Sequence, residues 1–90
     1  MGQAIVDPAE VRRFAARLKH FSGEVMTQMQ AVQRQLAALG ATWRDQEHQK
    51  FAEAFEQQLA QFGRFVQSTE DYVPYLQRKA ERVEEYQQQR

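Results

Sequence analysis

Apolar residues recur along this chain at helical intervals. In the first half they read Val11, Phe14, Leu18, Phe21, Val25, Met29, Val32, Leu36, Leu39 and Trp43, in steps of 3, 4, 3, 4, 4, 3, 4, 3 and 4. All ten positions are apolar, where the overall 42% apolar content would place roughly four. Such spacing predicts a helical seam of coiled-coil type, with one additional four-residue step that locally relaxes the supercoil. The second half repeats it through Phe51, Phe55, Leu59, Phe62, Val66, Thr69, Val73, Leu76, Ala80 and Val83, nine of the ten being apolar. A further row, Phe65, Tyr72, Lys79 and Tyr86, runs beside that seam at heptad spacing. The apolar face of the second helix is therefore wider than a two-helix seam needs.

Punctuation sets the boundaries. In "DPAE", Asp7 suits the N-cap, Pro8 the first helical position and Glu10 the reciprocal partner of a capping box. No proline follows before Gly40, which suits the left-handed position just past a helix end. The expected elements are a first helix over about 8–39, a turn over 40–45 and a second helix over about 46–88, in one domain spanning 1–90. Thr42 or Asp45 can cap the second helix. Pro74 removes one hydrogen bond inside it and predicts a kink, the rival being a break with Asp71 as a fresh cap. The closing "EEYQQQR" is polar and expected to fray.

Two long helices with a short connection make an antiparallel hairpin. A lone hairpin has no third layer to cover a second apolar stripe. The expected fold is all-α: a two-helix hairpin that dimerises into a four-helix bundle, with Phe65, Tyr72, Tyr75 and Tyr86 as its interface. Trp43, one step past Leu39 on the same seam, is expected to plug the open end of the hairpin, with its indole N–H reaching a loop carbonyl or water.

Composition narrows the function. Twelve basic and twelve acidic side chains give a formal net charge of zero, which lacks the electrostatic footprint of a nucleic-acid binder. Without cysteine there is neither a disulfide nor a thiolate metal site. No apolar run approaches the ~18 residues of a membrane span. The start "MGQAIVDPAE" has no basic, apolar leader, and Val6 breaks the myristoylation pattern.

Asp45 and His48 have one metal-ligand spacing, but His20 has Arg17 three residues before it, so no matching pair forms and both histidines read as surface or flank residues. Ser22, Ser68 and the three threonines lack a nucleophile elbow, and the four glycines are isolated, so no phosphate loop exists. The basic cluster Arg12, Arg13, Arg17 and Lys19 is interleaved with Glu10 and the seam, and reads as a solvated face. Gly23 and Gly63, each twenty residues from Trp43, fall at about one level of a symmetric hairpin. No catalytic residue, metal or cofactor is expected.

With a tryptophan in the central turn of a helical hairpin, the chain resembles the WXG family of early-secretory-antigen-like proteins of type VII (ESX) secretion. Their signature is Trp-x-Gly in that turn, matched here by Trp43, Arg44 and Asp45, with Asp45 where the family has glycine. The resemblance implies hairpins that pair head to tail, with the same chain or a paralogous WXG-like chain as partner and a secretion ATPase as a further one. It also implies a protein that is cytoplasmic before export and leaves without a cleavable signal peptide. The family's C-terminal Tyr-x-x-x-Asp/Glu motif is not completed: Tyr86 is followed at that spacing by Arg90, Tyr72 by Leu76 and Tyr75 by Lys79. Either a partner supplies that motif, or the chain belongs to a branch that is not exported. The competing class is an intracellular helical adaptor or chaperone-like subunit whose aromatic row binds another protein's helix.

Overall fold

The computed structural model describes residues 6–88. Met1–Gly2 and Arg90, on which the lipidation and export-motif readings turn, lie outside them. The chain forms two helices, α1 (Pro8–Leu39, 32 residues) and α2 (Gln46–Gln88, 43 residues), packed side by side as a hairpin measuring 69 × 16 × 14 Å.

The start of α1 follows from its sequence. Asp7 is extended (φ −93°, ψ 111°), and its carboxylate accepts from the amide of Ala9 at 3.0 Å, with Pro8 beginning the helix. The capping box is only half made, because the Glu10 carboxylate turns to Arg13 at 3.6 Å.

At the other end the structure departs from expectation. Gly40 is right-handed (φ −62°, ψ −15°), not left-handed. The helix ends by tightening: the amides of Gly40, Ala41 and Thr42 donate to the carbonyls of Ala37, Ala38 and Leu39 at 3.1–3.2 Å. Those three-residue bonds satisfy the last carbonyls without a left-handed residue. What makes glycine useful here is space: a Cβ at position 40 would lie 3.3 Å from the Ala37 carbonyl oxygen and 3.5 Å from the His48 ring.

Asp45, not Thr42, caps α2. Its carboxylate accepts from the amide of His48 at 3.0 Å, while the Thr42 hydroxyl donates to the carbonyl of Leu39. From there α2 runs through Pro74 without a break.

The seam between the helices is a second departure. Its fully buried positions on α1 are Ala15 and Ser22, and on α2 Leu59, Val66, Thr69, Val73 and Ala80 are buried. With their half-buried neighbours, the α1 seam runs Val11, Ala15, Leu18, Ser22, Val25, Met29, Val32 and Leu36, an unbroken alternation of four and three. The additional four-residue step disappears, because Phe14 and Phe21 are not seam residues. Likewise Phe51 gives way to the half-buried Ala52. The reason is steric. Two helices that touch without a third layer approach closely over small side chains, and a phenyl ring on the contact line would hold them apart. Thr69 meets its hydrogen-bonding need locally by donating to the carbonyl of Phe65 at 3.0 Å, but the hydroxyl of Ser22 is buried with no partner. Gly23 and Gly63 do not face each other: a Cβ on Gly23 would meet nothing within 4 Å, and on Gly63 only the tip of Met29 at 3.9 Å.

Candidate functional site: an aromatic face and its groove

Displacing the phenylalanines by one position from the seam gives the hairpin two unlike sides. On α1, residues seven apart share a flank, so Phe14 and Phe21 lie on one flank and Arg12 and Lys19 on the other. On α2, Phe51, Phe65, Tyr72 and Tyr86 share one flank, and Glu70 and Glu84 the other.

The polar edge is closed by a bidentate ion pair. The Arg12 guanidinium donates to both carboxylate oxygens of Glu84, at 2.6 and 3.2 Å, tying the start of α1 to the end of α2. Hydrogen bonding from Arg12 lowers the Glu84 carboxyl below its ordinary range, against a smaller opposing effect of desolvation, and in return raises the Arg12 guanidinium. Of the basic cluster, Arg12 and Arg13 thus face acidic partners within the chain.

The other side is aromatic. Phe14, Phe62, Phe65, Tyr72, Tyr75 and Tyr86 each leave more than half of their surface exposed, and Phe21 and Phe51 nearly half. Between the helices on this side lies an open groove of about 470 Å³. Phe21, Val25, Met29 and Val32 of α1 line it with Phe55, Leu59 and Phe62 of α2, and Glu24 and Gln28 stand among them as the polar residues. Phe62 meets Phe65 edge-on, ring centres 6.1 Å apart, which carries the groove outward onto the α2 flank. Of the residues expected at an interface, Phe65, Tyr72, Tyr75 and Tyr86 are placed in the open. The groove and its α1 wall, Phe21 above all, were not anticipated. An unbroken four-three frame through Ala15 and Ser22 was the signal that would have found them.

The turn continues this surface. Trp43 is half-buried and packs on the opening turns of α2. Its ring meets His48 edge-on at 5.1 Å and lies over Phe51 at 6.2 Å, and Phe51 stacks on Phe55 at 5.6 Å. Arg44 reaches back to donate to the carbonyl of Gly40 at 3.3 Å. His48, expected as a surface or flank residue, is half-buried against Gly40, and its Nε2 is enclosed without a hydrogen-bond partner. An aromatic ladder therefore leads from the turn into the groove.

Among the described residues no group of three or more His, Asp or Glu side chains is placed to hold a metal ion. No described helix is long and apolar enough to cross a membrane. What the groove and its flank present is apolar surface.

That surface is large for the mass. A compact monomer of 10.6 kDa exposes about 5,500 Å², whereas this hairpin exposes 7288 Å². The excess, about 1,800 Å², is more than the ~800 Å² that each partner contributes to a standard interface.

Compared with curated proteins, the chain matches none. Compared with family models, residues 3–88 match WXG100, "Proteins of 100 residues with WXG". A two-helix hairpin with a tryptophan-bearing turn, matched over nearly its whole length, thus belongs to the WXG100 family of small helical proteins associated with type VII secretion.

Proposed function

We propose that this chain is a non-enzymatic interaction protein of a type VII-like secretion system, a partner or substrate that acts by dimerising with a second copy or with a paralogous WXG-like chain. The aromatic face carries this reading. Leaving a large aromatic side chain wet forgoes on the order of 1.5–3 kcal/mol relative to full burial. Eight such rings on one side of one hairpin constitute a surface made to be covered. Docking a second hairpin against it supplies the missing layer and yields the four-helix bundle, with Phe65, Tyr72, Tyr75 and Tyr86 inside the contact.

In this reading the chain is cytoplasmic before export and leaves without a cleavable leader. The turn of Gly40, Trp43 and Asp45 is the end presented to a secretion ATPase. Asp45 is committed to capping α2, so it stands at the family's glycine position as a helix start signal as well as a surface carboxylate.

Two measurements test the proposal. Tyr72→Glu places a charge in the proposed contact and leaves the seam untouched, so it should dissociate the assembly while the chain stays helical. A variant that keeps the wild-type mass would move the interface elsewhere. Export is tested by assaying culture supernatant with and without a functional secretion locus: dependence on the locus supports the substrate role, and retention of the chain in both strains removes it.

A further inference from the structure

Features that weaken a helix gather in one band across the hairpin. On α1, the Ser22 hydroxyl is buried without a partner. Gly23 follows it in the helix interior, where only proline is less favourable. The hairpin gives no reason for that glycine, because an added Cβ would meet nothing within 4 Å. The Thr27 hydroxyl then donates to the Gly23 carbonyl at 3.0 Å, a back-bond of the kind that bends helices. On α2, the Thr69 hydroxyl makes the same bond to the Phe65 carbonyl, also at 3.0 Å. Pro74 has no amide to offer the Glu70 carbonyl, and its ring crowds that oxygen. Two contacts align the helices, Arg12 with Glu84 and the tip of Met29 beside Gly63. Counting inward from both sets Ser22 and Gly23 level with the stretch between Thr69 and Pro74.

These features also share a side. Gly23 stands four residues after Lys19, and Pro74 four after Glu70, so both lie over the polar edge and away from the aromatic rings. The band divides the aromatic face in two. Val25, Met29 and Val32 of the groove, with Phe55, Leu59 and Phe62, lie on its turn side, and Tyr75 and Tyr86 lie on its terminal side.

We propose that this band is a hinge: the hairpin bends at Gly23 and Pro74, parting along the polar edge and closing toward the aromatic side, so that the groove and the tyrosines turn toward each other. Leu59 and Val66 hold the helices together on the turn side, and Ala15 and Ala80 on the terminal side, so each half moves as a body. The hinge belongs to the single hairpin, whatever covers its rings.

The absence of cysteine lets paired spin labels report the bend. Gln58→Cys and Lys79→Cys place labels at exposed positions in the row of Phe51, Phe65 and Tyr72, one on each side of the hinge, about 32 Å apart in a straight helix. Dilution into excess unlabelled chain restricts the reading to distances within one hairpin. The labelled chain should show two populations, one near ~32 Å and one shorter. Adding Gly23→Ala and Pro74→Ala, which strengthen both helices at the hinge and leave the seam untouched, should leave the longer one alone. In the unlabelled wild-type chain, amides just after Gly23 and around Pro74 should exchange with solvent on the order of tenfold faster than those of the packed stretches on either side. A single narrow distribution near ~32 Å without the two alanines, a shorter population that survives them, or amide protection that peaks at Gly23 and Pro74 would each overturn the hinge.

Discussion

Removing the indole of Trp43 should destabilise the hairpin by an amount the structure bounds. Truncating a fully buried large aromatic to alanine costs about 3–5 kcal/mol. Trp43 is buried over most but not all of its surface, so a smaller cost applies, about 2 kcal/mol at the least. Included in the loss are its two ring contacts, with His48 at 5.1 Å and Phe51 at 6.2 Å. The helix caps on either side do not use the indole, so Trp43→Ala should keep its helical content at low temperature. For a domain of this size, about 2 kcal/mol lowers Tm by roughly 8–16 °C. The assay is a thermal melt followed at 222 nm, with wild type and variant at equal chain concentration because association shifts Tm by mass action. Trp43→Phe should recover at least half of the loss, since a phenyl ring can still lie over Phe51. An unchanged Tm in Trp43→Ala would refute the packing argument and leave the indole as a docking group alone.

Ser22→Ala should raise stability by about 1 kcal/mol, seen as a Tm increase of several degrees, because it removes a buried hydroxyl without a partner and adds helix propensity; a fall in Tm would mean that the hydroxyl is satisfied in solution. Phe14→Ala should leave the seam intact under conditions where the chain is dilute, whereas Ala15→Leu, one residue away, should overpack it by about 1–3 kcal/mol; the reverse order in denaturant midpoints would restore Phe14 to the seam. Glu84→Gln should cost stability at neutral pH. The Glu84 carboxyl is lowered by Arg12, so its contribution is present above the unfolded value of about 4.3 and is lost as pH falls through the folded value. The Tm gap between wild type and Glu84→Gln should therefore close below about pH 4 and shrink with added salt, and a gap that persists unchanged at pH 2–3 would count against the pair.

The helices were legible because their signals are local. Asp7 with Pro8, the long proline-free stretch after it and the stop near Gly40 depend on neighbours a few residues away, and periodicity makes the two-helix fold readable as well. The seam was harder, because choosing the contact line by hydrophobicity favours Phe14 and Phe21 over Ala15 and Ser22. Close approach of two helices selects for smallness, a property of the partner surface that a one-dimensional pattern does not carry. The same error hid the groove, since phenylalanines assigned to the seam cannot also wall an open surface. The commonest use of a glycine past a helix end is the left-handed cap, whereas Gly40 is right-handed and a side chain there would crowd the Ala37 carbonyl oxygen at 3.3 Å, which is visible only once the turn is closed. Tyr72 and its row were found because their heptad spacing exceeded what two helices could bury.

The central question is whether the aromatic face is covered in solution. Light scattering coupled to size-exclusion chromatography of the wild-type chain, alone at tens of micromolar and then mixed with a paralogous chain from the same genome, asks it directly. The expected result is a particle of about twice 10.6 kDa from the chain alone. A helical, monodisperse species of 10.6 kDa in both samples would contradict it.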